Sequence, residues 1–228
     1  DIGLVTASEM TDRASQIVEA ADGTPVIADG DNGYGGEHNV SRLVRGYELA
    51  GVQCIQLEDQ VSPKRCGHME NKQVVPLEEA VTKIQMAVKS RSSDEFLVMA
   101  RTDARATHDL AEAIKRGNAF LEAGADILFI EAPASVEELE QISASFPDIP
   151  LVANMVEEGK TPELDSKRLS DLGYQIILRP VSALLSAAMS LQMSYQALKE
   201  TSQLSDTQPR FTFGGFNQLV GLDKFNSD

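Results

Sequence analysis

Short runs rich in aliphatic and β-branched residues recur along this chain about every 30 residues, the length that one buried strand, one amphipathic helix and two short connections occupy. The runs cover residues 25–31, 54–59, 96–103, 127–132, 150–155 and 175–180. Helical periods lie between them. Val40, Leu43, Val44 and Tyr47 share one helical face, as do Leu77, Val81, Ile84 and Val88, and Leu110, Ala113, Ile114 and Leu121. Thr6 with Glu9 and Ser135 with Glu138 have capping-box spacing, and Gly51, Gly124 and Gly173 stand where a helix must turn back into a strand. The repeated order of helix, glycine and strand predicts a parallel sheet with helices packed outside it.

Such alternation fits either an open doubly wound sheet or a closed barrel. A dinucleotide-binding sheet carries G-x-G-x-x-G after its first strand, and none occurs here. The glycines of DGDNGYGG have another spacing and lie among acids that repel phosphate. The expected fold is therefore an α/β, (β/α)8 TIM-type barrel, although the runs supply six strands where closure takes eight. Residues 1–200 read as the barrel domain, ending in a helix over 182–199. Residues 201–228 read as a polar linker followed by a docking tail around the aromatic segment FTFGGF.

Charge narrows the partners. Twenty Lys and Arg against 35 Asp and Glu leave a net charge of -15, which opposes binding to nucleic acid or to an anionic membrane. No apolar run approaches the roughly 18 residues of a membrane span. Two cysteines cannot build a disulfide scaffold, and three scattered histidines offer no zinc cluster. A cytoplasmic protein acting on a small molecule is expected.

In a barrel of this kind the active site lies at the carboxyl ends of the strands. Those ends hold Asp29 and Asp31, Glu58 and Asp59, Arg101 and Asp103, Glu131, Asn154, and Arg179. Any one of them is explained by the onset of solvent, but acids converging on one mouth repel one another unless a cation sits among them. Asp29 and Asp31, two apart on a strand, are expected to share a face. With Glu58 they form an all-oxygen set suited to Mg2+, with Mn2+ also possible. In the segment KRCGH, Cys66 is flanked by Lys64, Arg65 and His68, a positive setting that makes a thiol a usable proton donor or acceptor. Cys54 lies inside an apolar run and reads as core. His38 and His108 read as caps or solvent contacts, and the seven methionines as core filler.

The stretch EDQVSPKRCGH, with ADGDNGYG upstream and MARTDA, LFIEA, LVANM and LRPVSA following in order, resembles the isocitrate lyase/phosphoenolpyruvate mutase superfamily from Asp1 to about Leu198. The resemblance implies a (β/α)8 barrel whose strands 3 to 8 are the six runs, a homotetramer exchanging C-terminal helices, bound Mg2+, and 2-oxo or 2-hydroxy carboxylate substrates. It implies that Asp29, Asp31 and Glu58 hold the metal directly or through water, with Asp1 assisting from farther out. It makes Cys66 the acid/base on a mobile loop, with His68 and Glu131 also catalytic. Gly67, Arg101, Asn154 and Lys64 are then substrate contacts. The lyase branch performs retro-aldol cleavage, in which loss of a 2-hydroxyl proton breaks the adjacent carbon–carbon bond and leaves an enolate. Methylisocitrate lyases carry Arg within PLSAFR where this chain has Leu185, so a third carboxylate loses its bidentate partner, and a smaller diacid, a 2-alkylmalate or oxaloacetate, is expected. Carboxyvinyl-carboxyphosphonate phosphorylmutase-type chemistry is the alternative on the same scaffold. The family's first two strands, with a substrate-binding Ser-Gly turn, precede the position of Asp1. The chain therefore reads as a fragment of a longer active enzyme, with a non-catalytic remnant as the other reading.

Overall fold

The computed structural model describes residues 2–66, 71–204 and 209–225. The elements are α1 (Ala7–Ala20), β1 (Ile27–Asp29), α2 (Glu37–Leu49), β2 (Cys54–Glu58), α3 (Leu77–Ser90), β3 (Leu97–Thr102), α4 (Ala104–Thr107), α5 (Leu110–Glu122), β4 (Ile127–Ile130), α6 (Val136–Ser145), β5 (Leu151–Asn154), α7 (Ser166–Asp171), β6 (Tyr174–Leu178), α8 (Ser182–Thr201) and α9 (Phe213–Leu219). The six strands run parallel in chain order and curl as a half-barrel, the α/β barrel arrangement that the period predicts. The expected punctuation is present. Thr6 and Glu9 form a reciprocal capping box on α1, the Ser135 hydroxyl accepts the Glu138 N–H on α6, and Gly51, Gly124 and Gly173 take φ of 84°, 98° and 96° as the chain leaves a helix.

Strand alternation divides the core. Side chains of one parity, including Ile55, Leu57, Val98, Ala100, Leu128 and Ile130, pack against the apolar helix faces. Those of the other parity, Cys54, Met99, Ile127, Phe129 and Val152, form a separate inner cluster. Each such aliphatic or aromatic side chain contributes about 1.5–3 kcal/mol on full burial. Continuing the inner parity toward the carboxyl ends reaches Glu58, Arg101, Glu131 and Asn154.

The chain divides into two compact units, Asp1–Pro180 and Val181–Asp228. The second unit groups α8 with the aromatic segment. Phe213 opens α9, with the Thr212 hydroxyl accepting the Gly215 N–H at 3.0 Å, so part of the segment expected as a plain tail is helical. Helix α8 buries no residue and exposes Leu184, Leu185, Met189 and Leu191. Among the described residues, no helix is long and apolar enough to cross a membrane.

Candidate active site

The site begins where β1 ends. The Gly30 N–H donates to the Gln56 carbonyl at 2.7 Å, and a Cβ at Gly30 would lie 2.8 Å from that oxygen and 3.0 Å from Ile55. Asp31 then turns into the left-handed region at φ 46°, its N–H donating to Asp29 Oδ1 at 2.9 Å. Asp tolerates that backbone because its short polar side chain bonds locally. Asp29 and Asp31 therefore come together through a turn. Strand alternation does not bring them together, since only Asp29 belongs to β1, which covers Ile27–Asp29 within the expected run 25–31. From behind, the buried Tyr47 hydroxyl donates to the Asp29 carbonyl at 2.6 Å. Gly30→Ala is expected to push β1 off β2 and lower stability by about 1–3 kcal/mol, read by thermal or denaturant unfolding.

Lys64 reaches into this turn. Its ammonium donates to Asp31 Oδ1 and lies 3.7 Å from Glu58 Oε1 and 4.0 Å from Asp29 Oδ2. Burial works against its charge, but Asp29, Glu58 and Asp31 together raise its pKa. Lys64, expected as a substrate contact, is ion-paired with all three acids.

Glu58 is the most constrained acid. Its side chain is 1% exposed, and among the described residues neither oxygen accepts a hydrogen bond. Burial pushes its carboxyl up to about 8, although Arg101 and Lys64 pull the other way. Arg101 Nε stands 3.5 Å from Glu58 Oε2, and Nη2 stands 3.7 Å from Glu131 Oε2. The guanidinium also lies 5.0 Å from the Phe129 ring centroid, within cation–π range. Asn154 Nδ2 faces the two Glu131 oxygens at 3.4 and 3.3 Å. Ionic and polar contacts therefore run from Asp29 through Lys64, Glu58, Arg101 and Glu131 to Asn154, across the carboxyl ends of β1 to β5. A cleft of about 350 Å3 opens beside Asp31 and Lys64, walled in part by Gly3, Val5 and Tyr34.

The donor set suits a hard divalent cation. All three acids offer oxygen, and among the described residues neither buried oxygen of Glu58 receives a hydrogen bond, its contacts with Arg101 and Lys64 being ionic. Lys64 offsets only part of their charge. Among the described residues, no group of three acidic, His or Cys side chains is already drawn around one ion-sized point.

A second layer of charge supports the first. Asp59, next to Glu58 and just past β2, faces the helices. It accepts the Thr102 hydroxyl at 2.6 Å, the Asp103 N–H at 2.9 Å and Arg116 Nη1 at 3.0 Å. Asp103 accepts Arg101 Nε and Nη2 at 3.0 and 3.2 Å and the Lys72 ammonium at 2.6 Å. Burial alone would raise the Asp103 carboxyl, but Arg101 and Lys72 hold it below the usual carboxylate range. The sequence reading missed Lys72 and Arg116. Arg116 leaves a signal, a charge within the buried stripe Ala113, Arg116, Gly117 and Phe120, whereas nothing local marks Lys72. Arg179, also at a strand end, stands apart from the chain of contacts, pairing with Glu163 at 3.1 Å.

Cys66 is half-buried on the segment that carries Lys64, while Gly67, His68 and Asp1 lie outside the described residues. Cys54 is core as expected, 3% exposed, its thiol pushed up to about 12 by burial and by Asp126. The remaining histidines make local contacts, His38 with Glu37 at 3.8 Å and His108 with the Thr107 hydroxyl at 2.8 Å.

Residues 1–199 match the family model described as phosphoenolpyruvate phosphomutase. The 2,3-dimethylmalate lyase of Eubacterium barkeri is 50% identical over 227 residues, covering 98% of this chain and 77% of the relative. Among solved structures, oxaloacetate acetylhydrolase in complex with the inhibitor 3,3-difluorooxalacetate superposes with a TM-score of 0.93 at 31% identity, over 99% of this chain and 77% of that one. Phosphonopyruvate hydrolase in complex with oxalate and Mg2+ superposes with a TM-score of 0.84 at 26% identity, over 99% and 78%.

Proposed function

Because the chain belongs to the isocitrate lyase/phosphoenolpyruvate mutase superfamily, we propose that it is a Mg2+-dependent carbon–carbon bond lyase acting on a small 2-hydroxy or 2-oxo diacid, a 2-alkylmalate foremost and oxaloacetate next. The observation that carries this reading is the unbroken run of acid and base contacts from Asp29 to Asn154 at one end of the sheet. The likeness to a dimethylmalate lyase at half of all aligned positions agrees with it. So does the sequence segment PVSALL, where Leu185 takes the place of the Arg in the PLSAFR of methylisocitrate lyases.

Asp29, Asp31 and Glu58 would hold Mg2+, which when bound polarises the oxo-acid oxygens and offsets the charge of the enolate. Arg101, Asn154 and Lys64, with Gly67 and His68, bind the substrate carboxylates and oxygens. Glu131, touching both Arg101 and Asn154, is placed to accept the 2-hydroxyl proton. As that oxygen becomes a carbonyl, the bond from C2 to C3 breaks and its electron pair passes to C3. Cys66 then returns a proton to C3 from its thiol. From a 2-alkylmalate the products are a 2-oxo acid and a saturated carboxylate; oxaloacetate first adds water at C2, which supplies the hydroxyl, and its products are oxalate and acetate. The reading extends to a homotetramer in the cytoplasm, with residues 201–228 as a linker and docking tail.

The test is turnover of 2,3-dimethylmalate and oxaloacetate by the full-length protein. Formation of a 2-oxo acid from the malate, or of oxalate from oxaloacetate, is expected with Mg2+ present. Chelation is expected to lower the rate by at least about 100-fold, with recovery on adding Mg2+, because Lewis-acid stabilisation is worth several kcal/mol. Full activity after chelation removes the metal from the proposal, and no cleavage of any such diacid removes the lyase. The match to a phosphomutase family model favours phosphonate chemistry as the second reading. Phosphorus NMR with phosphonopyruvate and carboxyphosphonoenolpyruvate decides it.

A further inference from the structure

Gln60 follows the two acids that close β2 and is 1% exposed. Its side-chain amide spans the backbone of a single residue: Oε1 accepts the Arg65 N–H at 3.0 Å, and Nε2 donates to the Arg65 carbonyl at 2.8 Å. This is the pairing that a neighbouring strand would offer, supplied by one side chain. Gln60 is itself fixed. Its backbone pairs with Val74 in an antiparallel bridge, flanked by Val61 N–H to Gln73 O at 3.0 Å and Val75 N–H to Asp59 O at 2.8 Å. Asn32 Nδ2 also approaches its carbonyl at 3.4 Å.

The residue held is the one before Cys66, and the residue before that is Lys64, tied to the acids. We infer that Gln60 is a positioning residue for Cys66, its amide setting the backbone from which the thiol projects through two hydrogen bonds to Arg65. Only a side chain with one donor and one acceptor at this length does so. Glu would set a carboxylate oxygen against the Arg65 carbonyl, Met would leave both Arg65 groups unmatched, and Asn falls one methylene short. Placing a reacting group is worth as much as supplying it, since a shift of about 1 Å can lower a rate by about 100-fold.

This inference rests on the catalytic role proposed for Cys66, so its test has two readouts. Gln60→Met and Gln60→Asn are made in the full-length protein with Mg2+. Steady-state rates on 2,3-dimethylmalate are measured beside the rate of Cys66 carboxamidomethylation by iodoacetamide, followed by peptide mass spectrometry with buried Cys54 as the internal unreactive thiol. Both variants are expected to lower kcat by about 10- to 100-fold with KM changed less than about threefold, and to shift the Cys66 alkylation rate by at least about fivefold. Unchanged kcat and alkylation, even with a lowered melting temperature, overturn the inference by leaving Gln60 a purely structural role. Should Gln60→Met fail to fold, Gln60→Asn, which keeps a buried amide, decides alone. A wild-type protein inactive on every diacid defeats the proposed function, while the alkylation comparison still decides whether Gln60 positions the thiol.

Discussion

Cys66→Ala lowers kcat for 2,3-dimethylmalate by about 100- to 10,000-fold, the contribution of a placed general acid, and leaves thermal unfolding unchanged. The expectation follows from where the residue sits. Cys66 is only half-buried, so truncating it opens no closed cavity and takes little from the core. What it removes is the proton that the breaking bond must regain at C3. Cys66→Ser keeps the size and a hydroxyl but is a much weaker acid, and it is expected to fall with alanine, well below the parent enzyme. Cys54→Ala is the contrast: it lies 3% exposed in the inner cluster, and its loss lowers stability without entering the chemistry. Steady-state kinetics and melting curves on the three variants read the two effects separately. Turnover by Cys66→Ala within threefold of the parent would end the acid role.

The largest effect on stability is expected at Asp59, which takes no part in the proposed chemistry. Asp59→Ala removes at once the acceptor for the Thr102 hydroxyl, the Asp103 N–H and Arg116. All three donors are buried, and Arg116, 4% exposed, keeps among the described residues Val75 O at 3.0 Å and Glu112 at 3.1 Å. Breaking a buried charge pair by removing one partner costs about 3–5 kcal/mol. For a domain of this size that is a fall of about 6–20 °C in Tm. Glu112→Gln breaks the outer contact of the same arginine, where water screens the charges, and is expected to cost no more than about 1 kcal/mol. Equal losses in the two variants would show that Asp59 is not the centre of the network.

The six strands, their parallel order and several helix ends were legible because each rests on local rules: period, capping oxygens, and glycine where φ must turn positive. The polar strand ends were legible too, since Glu58, Arg101, Glu131 and Asn154 do converge. Boundaries were less so. The run 25–31 shortens to Ile27–Asp29 because Gly30 must pass close to Gln56, and that contact lies in another part of the chain.

By its amino-acid order alone this chain determined a parallel β/α array, an acidic carboxyl end and a cysteine among cations. Only the tertiary structure decided how those charges are shared. Adjacent in sequence and alike in charge, Glu58 and Asp59 separate into an acid of the candidate site and a buried tie to α5, because Glu58 ends β2 on its inner parity and Asp59, just past the strand, meets Thr102, Asp103 and Arg116. Lys64 turns inward to the acids, and Lys72 joins Asp103 across 31 residues. The reason is physical: hydrophobic period and capping act within one or two turns of the chain. The partner of a buried charge is whichever opposite group the curled sheet brings within about 4 Å, and no local pattern encodes that distance.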